Sequence, residues 1–116
     1  MSSKYRIFDR SALRILPLAD RKHDLEISNW LSLDSETPAF EHSDLKILAD
    51  RIRTARTNGR AVILIMGAHV LRAGVNRHLI DLIERGFISH IAFNGAGAIH
   101  DYELARIGAT TESVAR

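Results

Sequence analysis

The chain has 116 residues, enough for one small domain. Its 16 basic and 14 acidic residues leave a net charge of only +2, so no clustered basic face argues for nucleic acid. It has no cysteine, which excludes a disulfide framework, a thiolate nucleophile and any cysteine-bearing zinc site.

Taken in order, residues 1–42 read as an N-terminal arm with one or two short elements that packs against something else. Lys4–Phe8 and Ala12–Leu18 carry short apolar runs, and Pro17 breaks the second. Neither end of this arm has the apolar core of a signal peptide, and no run in the chain approaches the roughly 20 residues that span a bilayer. These features point to a cytoplasmic protein away from the membrane. His23–Leu33, HDLEISNWLSL, alternates partly and suits either a strand or a short helix, with Trp30 as a packing anchor. Asp34–Glu41 reads as a loop in which Pro38 holds its neighbour extended.

Residues 43–116 form the legible part. Ser43 predicts a helix N-cap, Asp44 suits the first turn, and Leu45, Leu48, Ala49 and Ile52 make one apolar face. Arg51, Arg53, Arg56 and Arg60 read as a solvated face diluted by acids, and Asn58-Gly59 ends the helix. Ala61–Met66, AVILIM, is short and rich in branched residues, which predicts a strand buried on both faces of a parallel sheet. A loop from Gly67 to Ala73 follows. Val75, Leu79, Leu82 and Ile83 then recur at helical spacing up to Gly86. Ile88–Phe93 predicts the second strand, Asn94–Asp101 a small-residue loop, and Asp101–Ile107 a helix stopped by Gly108. Thr110-Thr111-Glu112 looks like the start of a further helix.

Strand, helix and strand with so short a connection predict a right-handed parallel βαβ unit. Both loops then lie at the carboxyl ends of adjacent strands, the edge of an open α/β sheet where ligands bind. Small residues let a ligand approach the backbone, and helix N-termini favour a phosphate, so a dinucleotide is the natural occupant. Gly95 and Gly97 are the glycines best placed for that contact, whereas Gly59, Gly86 and Gly108 read as turn and cap residues. The fingerprint is not an ordinary one. His100 stands where a third glycine belongs, and Gly67–Gly74 lacks a phosphate-binding lysine. His69 and the His100-Asp101 pair fall on the same edge, where an imidazole beside a carboxylate suits proton transfer or polar contact with a ligand. A histidine bonded to its local backbone is the other reading, and His90 inside the strand is read that way. No spacing assigns a metal site.

The two halves of this unit resemble deoxyhypusine synthase. In that family an apolar strand leads to a Thr-Ser-Asn loop, a serine pair, a glycine and an amphipathic helix. The second strand leads to Thr-Thr-Ala-Gly-Gly, a branched apolar residue and two glutamates. AVILIMGAHVLRAG at 61–74 matches the first portion and ISHIAFNGAGAIHDYE at 88–103 the second, with nearly the same spacing between them. The resemblance implies a parallel-sheet, Rossmann-like NAD-binding α/β unit in a homo-oligomeric transferase. It implies NAD contacts at Gly67, Ala68, His69, Arg72 and Ala73 and at Asn94, Gly95, Ala96, Gly97 and Ala98. The glutamate pair falls on His100 and Asp101, which by the resemblance hold the ribose and a polyamine or other amine substrate. Hydroxyl groups of the family's loops are replaced here, which implies an altered substrate. The family's catalytic lysine lies beyond the length of this chain, whose last lysine is Lys46. No catalytic residue is therefore assigned, and the expectation is a unit cut short at its C-terminus. The alternative is a non-catalytic α/β scaffold that oligomerises through its apolar arm.

Overall fold

A computed structural model describes residues 4–36 and 38–113 of the chain. Thr37, within the predicted Asp34–Glu41 loop, and the last three positions lie outside the described residues. The fold is mixed α/β, with two separate two-stranded sheets.

The first sheet joins the arm to the far end of the chain. Strand β1 (His23–Glu26) runs antiparallel to β4 (Ala109–Glu112), pairing His23 with Glu112 and Leu25 with Thr110. The ladder continues at both ends through Ile27 N–H to the Gly108 carbonyl (2.9 Å) and Ser113 N–H to the Lys22 carbonyl (2.9 Å). The expected helix start at Thr110 is thus a strand. Gly108 ends the preceding helix with φ 69°, turning the chain back so that Thr110 meets Leu25 rather than continuing a helix. His23–Leu33 divides between the two predicted states, since a 3-10 turn at Ile27–Asn29 follows β1 directly. Every described residue before Arg21 is exposed.

Helix α1 spans Ser43–Thr57. Its N-cap is His42 rather than Ser43: the His42 Nδ1 accepts from the Asp44 amide at 3.2 Å, an imidazole doing the work expected of a hydroxyl one residue later. Gly59 leaves the helix with φ 61°.

The second sheet pairs β2 (Ile63–Met66) in parallel with β3 (His90–Phe93), in register from Ile63 opposite His90 to Met66 opposite Phe93. Ser89 seals its lower edge, accepting from Val62 N–H at 2.9 Å and donating to the Val62 carbonyl at 3.1 Å. Between the strands lie α2 (Ala68–Arg72) and α3 (Asn76–Glu84). The predicted Gly67–Ala73 loop therefore contains a turn and a half of helix. The sheet is not buried on both faces: Ile63 is 60% and Ile65 80% exposed, with His90 and Ala92 exposed on the same side. Leu64 and Met66 are half-buried, so one side of this apolar strand is more exposed than the other.

Helix α4 spans Gly95–Ile107, absorbing the small-residue segment that was expected to be a loop. Asn94 is the reason, because its Oδ1 accepts from the Gly97 amide at 3.0 Å and starts the helix six residues earlier than Asp101. α4 packs on α2 and on both β3 and β4, and so ties the two sheets together. The core gathers there: Ala68 and Leu71 of α2, Leu104 of α4 and Ala109 of β4 are buried, with Ile88 before β3.

Candidate functional site

The parallel pairing puts the ends of β2 and β3 at one edge. β2 passes through Gly67 into α2, and β3 passes through Asn94 into α4. Because α2 packs on α4, the two strand-end segments lie side by side.

The glycines at this edge differ in kind. A Cβ built on Gly67 or on Gly95 would meet nothing within 4 Å, so the backbone there faces open space. Gly97 is buried, and a Cβ on it would stand 3.0 Å from two ring carbons of Phe93. Its smallness serves the packing of α4 on β3, not access for a ligand. At the α4 terminus the Asn94 side chain occupies the Gly97 amide, leaving the first-turn amides of Gly95 and Ala96 turned to solvent. The dipole of a 13-residue helix adds partial positive charge at this end.

The remaining sequence-selected residues separate. Ala68 is buried in the α2–α4 contact, while His69, Arg72 and Ala73 are exposed on or just after α2. Ala96 and Ala98 are exposed on α4. His69 has no hydrogen-bond or ion-pair partner among the described residues. His100 and Asp101, adjacent in sequence, point apart: Asp101 is exposed, whereas the His100 ring turns inward to Thr110. No acid–base pair of these two forms. His90 is exposed and approaches only the neighbouring Ser89 hydroxyl, at 3.1 Å.

A different polar constellation stands where His100 points. Thr110 is 1% exposed. Its hydroxyl donates to Glu103 Oε2 at 2.5 Å and receives the His100 Nδ1 at 2.7 Å. A hydroxyl has one proton to give, so with that proton on Glu103 the His100 Nδ1 must be the protonated nitrogen. Glu103 Oε1 also pairs with Arg21 of the arm at 2.7 Å. Partial burial raises the Glu103 pKa, but the Thr110 hydrogen bond, the Arg21 bond and charge and the Thr111 amide outweigh it, holding the carboxyl below its ordinary value. Glu103, Thr110 and Arg21 escape sequence reading. The spacing of three between His100 and Glu103 on a helix was the available signal, while Arg21 lies 82 positions before Glu103 and only the β1–β4 pairing brings it near.

Among the described residues no group of three or more His, Asp or Glu could hold a metal ion, and no helix is long and apolar enough to cross a membrane. An apolar groove of about 550 Å³ lies away from the strand ends, between α1, β2 and α3. No protein-family model, curated protein or solved structure matches this chain.

Proposed function

We propose that this chain is the dinucleotide-binding part of a deoxyhypusine-synthase-like protein, a Rossmann-like unit that takes NAD across the ends of β2 and β3. One observation carries the reading. Two adjacent parallel strands run into helices whose first residues are small, and the space over Gly67 and Gly95 is open. A pyrophosphate suits that edge, because the amides of Gly95 and Ala96 can donate to it and the α4 dipole favours its charge. Asn94, Gly95, Ala96 and Gly67 would hold the phosphates, with His69 and Arg72 exposed beside them on α2. NAD supplies hydride transfer when bound; this chain's residues bind and orient it. Asp101, exposed on α4, is the available acceptor for a ribose hydroxyl or an amine. His100 drops out of the substrate set because its ring serves Thr110. The chain has lysines only at positions 4, 22 and 46, so no imine-forming step is derived from it.

Isothermal titration of the full chain with NAD tests the proposal. Binding is expected, weakened by Asp101→Ala and by Gly95→Ala, with NADP and ADP-ribose compared in parallel. Absence of heat and of any thermal shift at millimolar NAD would refute it. The open apolar groove and exposed arm favour a second reading, a non-catalytic module that assembles with copies of itself and shows no nucleotide affinity.

A further inference from the structure

The groove between α1, β2 and α3 is a slot of about 550 Å³, within the roughly 300–1,000 Å³ of small-molecule sites. Leu48 and Ile52 of α1, Leu64 of β2, Leu79 and Leu82 of α3 and Phe87 after it form the wall. Leu48 and Leu82 line the slot from different helices yet are 54% and 37% exposed, so two apolar faces look onto one space without filling it. Among the lining residues only Arg53 and Arg85 carry polar side-chain groups. The part of an occupant that enters must then be hydrocarbon, because a polar group taken from water without a partner is costly.

The charge beside the slot has one sign in excess. Asp50 serves both Lys46, at 2.8 Å, and Arg53, at 3.1 Å, while Asp81 serves Arg85 at 3.2 Å. Glu84, next to Arg85, lines a separate hollow with Arg77. Arg56 makes no ion pair among the described residues. Its guanidinium lies over the Phe87 ring at 4.6 Å from the centroid, and that of Arg85 approaches the same ring at 5.2 Å. A guanidinium lying over a ring keeps its edge N–H groups free to bind a carboxylate in a fork. Two guanidiniums thus converge on one wall residue of the slot, and the carboxylates at the rim are already taken by other cations.

We propose that this slot binds a long-chain carboxylic acid, its hydrocarbon tail between α1 and α3 and its carboxylate on the Arg56 guanidinium beside Phe87. The slot lies away from the strand-end edge, so the proposal stands whether or not NAD binds there.

Isothermal titration of the full chain with dodecanoate, kept below its micelle concentration, tests it. Affinity should rise about tenfold at each step from octanoate to decanoate to dodecanoate, the gain for each added pair of methylenes taken from water. Dodecyltrimethylammonium, with the same tail and the opposite charge, should bind at least tenfold more weakly than dodecanoate. Arg56→Gln should weaken dodecanoate about tenfold or more and leave dodecanol nearly unaffected. Leu48→Glu, at a half-exposed position, should keep the circular dichroism and abolish dodecanoate binding. Ile15→Asp, in the exposed arm, should change nothing. Any of five results would overturn the proposal: no binding of dodecanoate, an affinity flat with chain length, equal binding of the cationic amphiphile, loss of binding in the arm variant, or a dimer whose closed slot excludes dodecanoate.

Discussion

Gly74 offers the sharpest test of the architecture. It follows α2 with φ 80°, and a Cβ added there would stand 2.8 Å from the carbonyl oxygen of Asn29. Its own carbonyl accepts from Leu31 N–H at 2.9 Å, so this one residue holds the arm's 29–31 segment against the α2–α3 turn. Gly74→Ala places a side chain in the left-handed region, costing about 1–2 kcal/mol. The obstructing atom is backbone and cannot swing aside, so the segment must withdraw and the Leu31 hydrogen bond loosen, at about 1 kcal/mol more. The sum, about 2–3 kcal/mol, is roughly thirty- to a hundredfold in the folding equilibrium and about 8–12 °C in Tm for a chain of this length. Thermal and urea unfolding followed by circular dichroism measure it. Gly67→Ala is the control, with φ −99° and nothing near its Cβ, and should change stability little. If Gly74→Ala is no less stable than Gly67→Ala, the contact between the arm and the α2–α3 turn is not as described.

Other expectations follow from single sites. Gly95→Ala should leave the fold unchanged or stabilise it by up to about 1 kcal/mol, since alanine is the better helix former, while weakening NAD through loss of close backbone approach; titration beside thermal unfolding separates the two effects. Thr110→Val should cost about 1–3 kcal/mol, because it strips a hydrogen-bond partner from both His100 and Glu103 in a half-buried place. Glu103 has a folded pKa below its ordinary value, so its contribution to stability is present above about pH 4.3 and fades as pH falls through the lower folded value. The stability gap between wild type and Glu103→Gln, followed by unfolding at stepped pH, should therefore narrow on acidification; a gap that widens would contradict the network. Thr111 is the one described non-glycine residue at positive φ, 61°, and Thr111→Gly should gain up to about 1 kcal/mol in the same unfolding assay.

What could be read from the residues was local. The apolar run ending at Met66 and the one ending at Phe93 declared a parallel pair, and Asn58-Gly59, Gly86 and Gly108 marked helix ends by their left-handed freedom. Capping chemistry was legible in kind but not in place, since a histidine side chain took the role given to Ser43 and Asn94 opened α4 inside an apparent loop. A segment as small as Gly95–Ala98 has no periodicity of its own, so only the cap decides whether it is loop or helix. The pairing of Thr110 with Leu25 was out of reach, because a threonine followed by an acid suits a helix start as well as a strand and nothing local reveals the distant partner. The same distance hid Arg21 from Glu103. Burial misled for a related reason: AVILIM has the composition of a strand covered on both sides, yet Ile63 and Ile65 on one side stay exposed.

The β1–β4 ladder has a consequence for the order in which the molecule assembles. Val62 and Ser89, at the foot of the parallel pair, are 27 positions apart, whereas the antiparallel pair links His23 to Glu112. Closing the larger loop costs about 1 kcal/mol more in chain entropy, and contacts of such sequence separation form late. The parallel unit with α2, α3 and α4 can therefore condense first, presenting the edge of β4 to a strand synthesised long before it. During translation β1 must wait, an unpaired strand beside an apolar arm, until residues 109–112 have emerged. Of the described strands β1 is made first and paired last, and in that interval it is most open to association with the wrong neighbour.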